Sequence, residues 1–315
     1  MELINAEQIR SHLDWRQTID ALERMFAAPC TAPPRHHHTI TLDGREDATM
    51  LLMPAWAADR YVGVKVANVY PDNPSRGLPA IHGSYLLMNG TTGEPLALLD
   101  GGELTARRTV CASALAARYL SRAESRKLLI VGSGRLSLFI GLAHRAVRPI
   151  ESISVWGRNR EHAEAVARSY RQAGFEAAAA ADLESASGDA DIISCVTMST
   201  QPLVLGRWLK PGAHLDLIGG FRPHMREVDS DAVARSTIFA DTREGVLGEA
   251  GDLLIPIAEG RINAASIAAE LRDLASSAHP GRTGTSEITL FKSVGTAIED
   301  LAAAILCYER CINPT

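Results

Sequence analysis

Lys127-Leu-Leu-Ile-Val-Gly-Ser-Gly-Arg-Leu-Ser137 is the stretch on which the fold turns. Leu128 to Val131 is an apolar run that reads as a buried strand, Gly132 and Gly134 make a tight turn, and Leu136 to Val147 continues with helical spacing. That order opens a βαβ unit in which backbone N–H groups at a helix N-terminus receive a dinucleotide pyrophosphate. Ser137 stands at the third glycine position, where a small residue still permits close helix–strand packing. A second strand, Ser152 to Trp156, follows at the expected distance. Because the motif begins at Lys127 and not near residue 1, another domain is expected to precede the cofactor domain.

Working outward, strands at Ala190–Val196, Ala213–Ile218 and Thr237–Ala240 and a helix around Arg160–Ala173 predict a parallel, doubly wound α/β sheet. Ala177–Ala181 fits strand or helix. Before the motif, Asn5 to Phe26 reads as one amphipathic helix. Short strands follow at His38–Leu42, Thr49–Met53, Tyr61–Val69, Gly83–Asn89 and Pro95–Leu99, predicting an antiparallel sheet. A helix over Leu104–Leu120 leads into the cofactor domain, and Gly295–Cys311 is a terminal helix that returns to the first domain, making it discontinuous.

Composition limits the partners. The 315 residues are 46% hydrophobic and 22% charged with net charge −5, which disfavours nucleic acid and anionic membranes. No apolar run approaches the ~20 residues of a membrane span, and the N-terminus lacks signal-peptide character. Five scattered cysteines suit reduced thiols in a cytoplasmic protein. His36-His37-His38 alternate across a strand and cannot share one ion, so no metal is expected.

The second strand ends Trp156-Gly157-Arg158-Asn159-Arg160. An NAD site usually carries Asp or Glu there; glycine followed by arginines favours NADP(H) over NAD(H), because a guanidinium grips a 2′-phosphate. Cofactor contacts are expected from Gly132, Ser133, Gly134, Arg135 and Leu136, from Arg158, Asn159 and Arg160, and from Thr197. In the first domain, strand alternation puts Lys65 on one face with Gly63 and Ala67, as a pocket residue or an exposed strand lysine. Arg107-Arg108 among small helical residues suits carboxylate binding or surface charge. Arg35 follows two prolines, and His82 and Ser84 sit in a plausible loop at a pocket mouth. Together they describe a cationic site for an amino- or imino-acid carboxylate.

These segments are similar to the ornithine cyclodeaminase/mu-crystallin family over nearly the full length. The resemblance is carried by Gly63-Val-Lys65, Gly77-Leu-Pro-Ala-Ile-His-Gly-Ser84, Leu99-Asp-Gly-Gly102, Leu104-Thr-Ala-Arg-Arg-Thr109 and the Gly132-Ser-Gly134 loop. It continues in Gly219-Gly-Phe-Arg-Pro-His-Met-Arg-Glu-Val-Asp229, Ala240-Asp-Thr-Arg-Glu244, Gly251-Asp252 and Ile288-Thr-Leu-Phe-Lys-Ser-Val-Gly-Thr-Ala-Ile-Glu-Asp300. It implies a Rossmann domain (118–292) inserted into a discontinuous α+β substrate-binding and dimerisation domain (1–117 and 293–315), a homodimer, and an active site between the domains. It also implies that Lys65 is catalytic, that Arg35 and Arg108 bind the substrate carboxylate, that Ser84 lies near substrate, and that Ser293-Val-Gly295 approaches the nicotinamide. Ornithine cyclodeaminases carry Asp after the paired glycines; here that residue is Phe221, which neither accepts a proton nor pairs with an ammonium. The expected activity is NADPH-dependent reduction of a small cyclic imino acid, such as Δ1-pyrroline-2-carboxylate to proline. The alternatives are ornithine cyclodeamination, amino-acid dehydrogenation, and a non-catalytic crystallin-like binder.

Overall fold

The computed structural model describes residues 1–313; positions 314 and 315 of the expected C-terminal segment lie outside the described residues. The chain divides into two compact units, Met1–Arg108 with the chain from Thr296, and Thr109–Gly295. The first boundary falls inside a helix, nine residues before the expected 117/118 break; the second falls three residues after the expected 292/293 break.

The first unit holds strands β1 (Glu2–Ile4), β2 (His36–Ile40), β3 (Ala48–Ala57), β4 (Tyr61–Val69), β5 (Ile81–Asn89) and β6 (Pro95–Asp100). They form a six-stranded sheet in the order β1-β6-β5-β4-β3-β2. All neighbours are antiparallel except β1, which joins β6 in parallel, so the sheet is mixed. The expected N-terminal helix is two helices, α1 (Ala6–His12) and α2 (Trp15–Ala27). Asp14 breaks it: its carboxylate accepts the Gln17 N–H and caps α2, satisfying a donor that a continuous helix would have paired internally. β3 runs through Pro54; β2 pairs only as far as Leu52, so the missing N–H falls beyond that ladder. Helix α3 (Gly101–Leu120) follows β6.

The second unit is a parallel sheet of β7 (Lys127–Val131), β8 (Ser152–Trp156), β9 (Glu176–Ala179), β10 (Ile192–Cys195), β11 (His214–Leu217), β12 (Thr237–Ala240), β13 (Ile267–Glu270) and β14 (Thr289–Lys292). Its order is β13-β12-β14-β11-β10-β7-β8-β9, the doubly wound arrangement expected. Helices α4 (Ser137–Arg145), α5 (Arg160–Gln172), α6 (Leu183–Asp189), α7 (Ser230–Ala234), α8 (Arg243–Glu249), α9 (Gly251–Ala258) and α10 (Leu271–Ala275) connect the strands. Val131, Ile193, Leu215, Leu217 and Leu290 are fully buried in its core. The chain then returns to the first unit as α11 (Ala297–Ile312), which packs on α2 and on one face of β3, β4 and β5. No helix among the described residues is long and apolar enough to cross a membrane.

Candidate active site

Strand alternation decides the first cluster. Gly63, Lys65 and Ala67 are buried on the sheet face that α11 covers, whereas Val62, Val64 and Val66 on the other face are half-buried. The space above Gly63 is filled by the ring of Tyr85, the cross-strand neighbour of Lys65. Lys65, only 4% exposed, places Nζ 2.7 Å from Asp300 Oδ2. Asp300 and Glu299 lie in the first turn of α11, where the helix dipole favours carboxylates and Thr296 caps the end. Arg108 of α3 donates from Nε to Asp300 Oδ1 at 2.9 Å and from Nη1 to Glu299 Oε2. Burial, helped by the charge of Arg108, lowers the Lys65 ammonium to about 8; Asp300 pulls it back up and Arg35 pushes it further down. A buried lysine so poised can hold or release a proton near neutrality, where an exposed one cannot.

Arg35, Lys65 and Arg108 are therefore brought into one electrostatic cluster, and Asp300 and Glu299 are its unforeseen members. The two contacts of Arg108 use Nε and one terminal nitrogen of a group with five N–H donors. Ser84 does not join them. It pairs with Val66, so its side chain leaves the sheet on the face opposite Lys65 and lines a shallow recess with Leu3, Asn5 and Asp100. His82 lies in β5 rather than in a loop and is exposed. Arg107 is structural: Nη1 donates to the Leu13 carbonyl at 2.7 Å, Nε to Glu103 at 3.1 Å, and the guanidinium stacks on Trp15.

In the second unit the glycine loop has the shape a pyrophosphate needs. Gly132 sits at φ +128°, where a Cβ would strike the Val196 carbonyl, and the space beside Gly134 is open. Ser137 Oγ donates back to the Gly132 carbonyl at 2.9 Å, and no side chain caps α4 after Leu136. Ser133 leans across the turn onto Gly157, where a Cβ would lie 2.9 Å from its hydroxyl. Arg135, Arg158 and Arg160 are exposed, while the Asn159 side chain is committed to capping α5 through the Glu161 and His162 N–H groups. The strand order reverses between β7 and β10, the position at which doubly wound sheets bind ligands. A helix N-terminus without a side-chain cap, open space at Gly134 and the exposed Arg158 and Arg160 fit a dinucleotide phosphate.

Thr197, Ser293 and Gly295 stand at the C-terminal ends of β10 and β14. The Thr197 hydroxyl is turned onto Glu227 at 2.7 Å. Burial pushes Glu227 up to about 8, with the Lys292 charge acting against it. Ser293 is buried, and the Gly295 N–H donates to Asp241 at 2.7 Å. Phe221 is half-buried, with the Arg222 guanidinium 6.0 Å from its ring centre.

Residues 2–314 match the model of the ornithine cyclodeaminase/mu-crystallin family. A Δ1-pyrroline-2-carboxylate reductase of Colwellia psychrerythraea is 36% identical over 316 residues, covering 98% of this chain and 99% of that protein. The structure of Thermococcus litoralis Δ1-pyrroline-2-carboxylate reductase in complex with NADH and L-proline is similar with a TM-score of 0.93 and 34% identity, covering 99% of this chain and 98% of the other. An archaeal alanine dehydrogenase dimer with bound NAD reaches a TM-score of 0.91 at 27% identity, covering 99% of this chain and 96% of its own. By its whole-length match, the chain belongs to the ornithine cyclodeaminase/mu-crystallin family.

Proposed function

We propose that the protein is an NAD(P)H-dependent reductase of small cyclic imino acids, with Δ1-pyrroline-2-carboxylate reduced to proline as its reaction. The buried Lys65, 2.7 Å from Asp300 and lowered to about 8 by burial and by the charges of Arg108 and Arg35, is the observation that carries this reading. Relatives of the same length named for that reductase activity support it, as does one solved with NADH and L-proline.

Arg35 and the remaining N–H donors of Arg108 bind the substrate carboxylate. The nicotinamide cofactor, when bound, supplies the hydride to the imine carbon. Lys65 holds a proton at the imine nitrogen, so the C=N bond gains one hydride and one proton and becomes an amine. Asp300 keeps the Lys65 ammonium protonated and oriented. Ser84, on the far face, takes no part. Gly132–Leu136 hold the pyrophosphate, Arg158 and Arg160 hold the 2′-phosphate of NADP(H), and Thr197, Ser293 and Gly295 face the nicotinamide half. Asn159 serves the cofactor indirectly, by fixing the helix start between the two arginines.

A second copy completes the assembly. Trp56, Val62, Val64, Val66, Leu86 and Leu98 make an apolar sheet face that is half-buried or exposed, and an archaeal relative is a dimer. Val64→Arg is expected to yield monomers in analytical ultracentrifugation; an unchanged species would show that this face is not the interface.

The deciding assay follows NADPH and NADH oxidation with Δ1-pyrroline-2-carboxylate and its six-membered homologue, beside ammonia release from ornithine. Oxidation with a cyclic imine and none of the ammonia is expected. Ammonia from ornithine without imine reduction would reverse the assignment, and no turnover despite tight cofactor binding would point to a binding protein.

A further inference from the structure

Behind the C-terminal ends of β10, β11 and β14 lies a charged cluster that the proposed chemistry does not use. Lys292, Asp252 and Glu227 are fully buried. Lys292 Nζ donates to the Gly219 carbonyl and lies 3.2 Å from Asp252 Oδ2. Asp252 Oδ1 accepts the N–H of Glu227 at 2.7 Å and of Val228 at 3.3 Å. Glu227 Oε1 in turn accepts the N–H of Thr197 at 2.6 Å and its hydroxyl at 2.7 Å. The loop after β11 seats directly on these carboxylates. A Cβ on Gly219 would lie 2.5 Å from Glu227 Oε1, and one on Gly220, at φ +61°, would lie 2.5 Å from Asp252 Oδ2.

Stability does not account for such a cluster. Removing a lysine and two carboxyl groups from water is costly, and well-packed apolar residues of similar volume usually hold a core as well or better. What directional hydrogen bonds provide is a fixed conformation for three loop starts at once: Thr197, Gly219–Gly220 and the segment from Ser293. All three lie on one side of the β7/β10 reversal. The glycine loop lies on the other side and takes the pyrophosphate, so the three starts belong to the nicotinamide half of the site.

We infer that Lys292, Asp252 and Glu227 are positioning residues that shape the nicotinamide half of the dinucleotide site through Thr197 and the Gly219–Gly220 backbone. This rests on the dinucleotide reading of the Gly132–Ser137 loop. The test compares binding of NADPH and NADH with binding of the matching ADP-ribose fragments, which lack nicotinamide, by calorimetry on wild type and variants. Glu227→Ala is expected to weaken the reduced dinucleotides by about tenfold or more while leaving the fragments unchanged. Glu227→Gln, whose amide oxygen accepts the same two bonds from Thr197, is expected to restore binding. Thr197→Val removes one of those bonds while keeping all three buried ionisable groups, and should give a smaller loss with the same selectivity even if Glu227→Ala does not fold. Equal losses for dinucleotide and fragment, or no loss at all, would overturn the inference. Failure of the wild type to bind any of these ligands would instead remove the cofactor reading on which it stands.

Discussion

Lys65 illustrates how one residue's chemistry is set by its neighbours. In a lysine lowered to about 8, the ammonium that donates the proton is lost as pH rises, so turnover should fall through about pH 8. Asp300 and Arg35 push that limb in opposite directions. Asp300→Asn removes the anion that favours the charged form and should move the limb to lower pH; Arg35→Met removes an opposing cation and should move it higher. Superimposable pH profiles for the wild type and both variants would show that Lys65 is not the titrating group. Lys65→Ala itself should cost about a hundredfold or more in turnover, and full activity would end its catalytic role. Lys65 was legible because alternation in Tyr61–Val69 puts it beside Gly63 and Ala67. Asp300 was not, although it ends the Ile288–Asp300 segment that carries the family resemblance. An acidic pair in the first turn of a helix reads as ordinary dipole compensation, and only the packing of α11 on the sheet buries it. Ser84 misled for the converse reason: a Gly/Pro-rich approach suggested a loop, whereas strand β5 imposes an alternation that turns its side chain away.

At the scale of elements, local chemistry explains both the successes and the gaps. The strand–turn–helix at Lys127–Arg145 and the alternating pattern after it were readable because turn glycines and apolar periods coincide. The break at Leu13–Asp14 was masked by an apolar face that continues across it, yet Asp14 carries an N-cap signature. β14 escaped notice because Thr289–Lys292 ends in a lysine that would normally mark a surface, and the buried Asp252 together with the Gly219 carbonyl makes that lysine tolerable. β1, three residues long, is too short for a period to register. The β8–α5 junction carries a testable consequence. Gly157 has no side chain and Ser133 fills the space, so Gly157→Asp alone would collide with the Ser133 hydroxyl. Combined with Ser133→Gly, the new carboxylate should repel a 2′-phosphate and favour NADH over NADPH. If the double variant keeps the wild-type preference, Arg158 and Arg160 are not the discriminating groups.

Across the whole molecule, the response to pH should be governed by histidines that the fold keeps neutral. His144 and His214 are fully buried in the second unit. His144 Nδ1 donates to the Ile140 carbonyl at 2.9 Å, and His214 Nδ1 lies 3.0 Å from Thr289 Oγ1. Burial lowers both below the ordinary histidine range, in the case of His214 well below it. The unfolded chain therefore binds protons that the folded one refuses once pH drops below ~6.5, and folding stability must fall with it. Each histidine that stays neutral contributes a slope of about 1.4 kcal/mol per pH unit in that window. Asp216, 3.9 Å from His144 Nε2, works the other way: burial raises its carboxyl, so acid neutralises it within the fold and offsets part of the loss at lower pH. Glu227, pushed up to about 8, also holds a proton in the fold that the unfolded chain takes up only near the ordinary glutamate range, so it offsets one of the two imidazoles across this window. Denaturant unfolding measured between pH 7.5 and 5 should therefore show a net decline only below about 6.5, and His214→Asn, if it folds, should flatten or reverse it. A His214→Asn slope identical to that of the wild type would mean that His214 takes up its proton inside the folded core, and its assignment as a neutral imidazole would have to be abandoned.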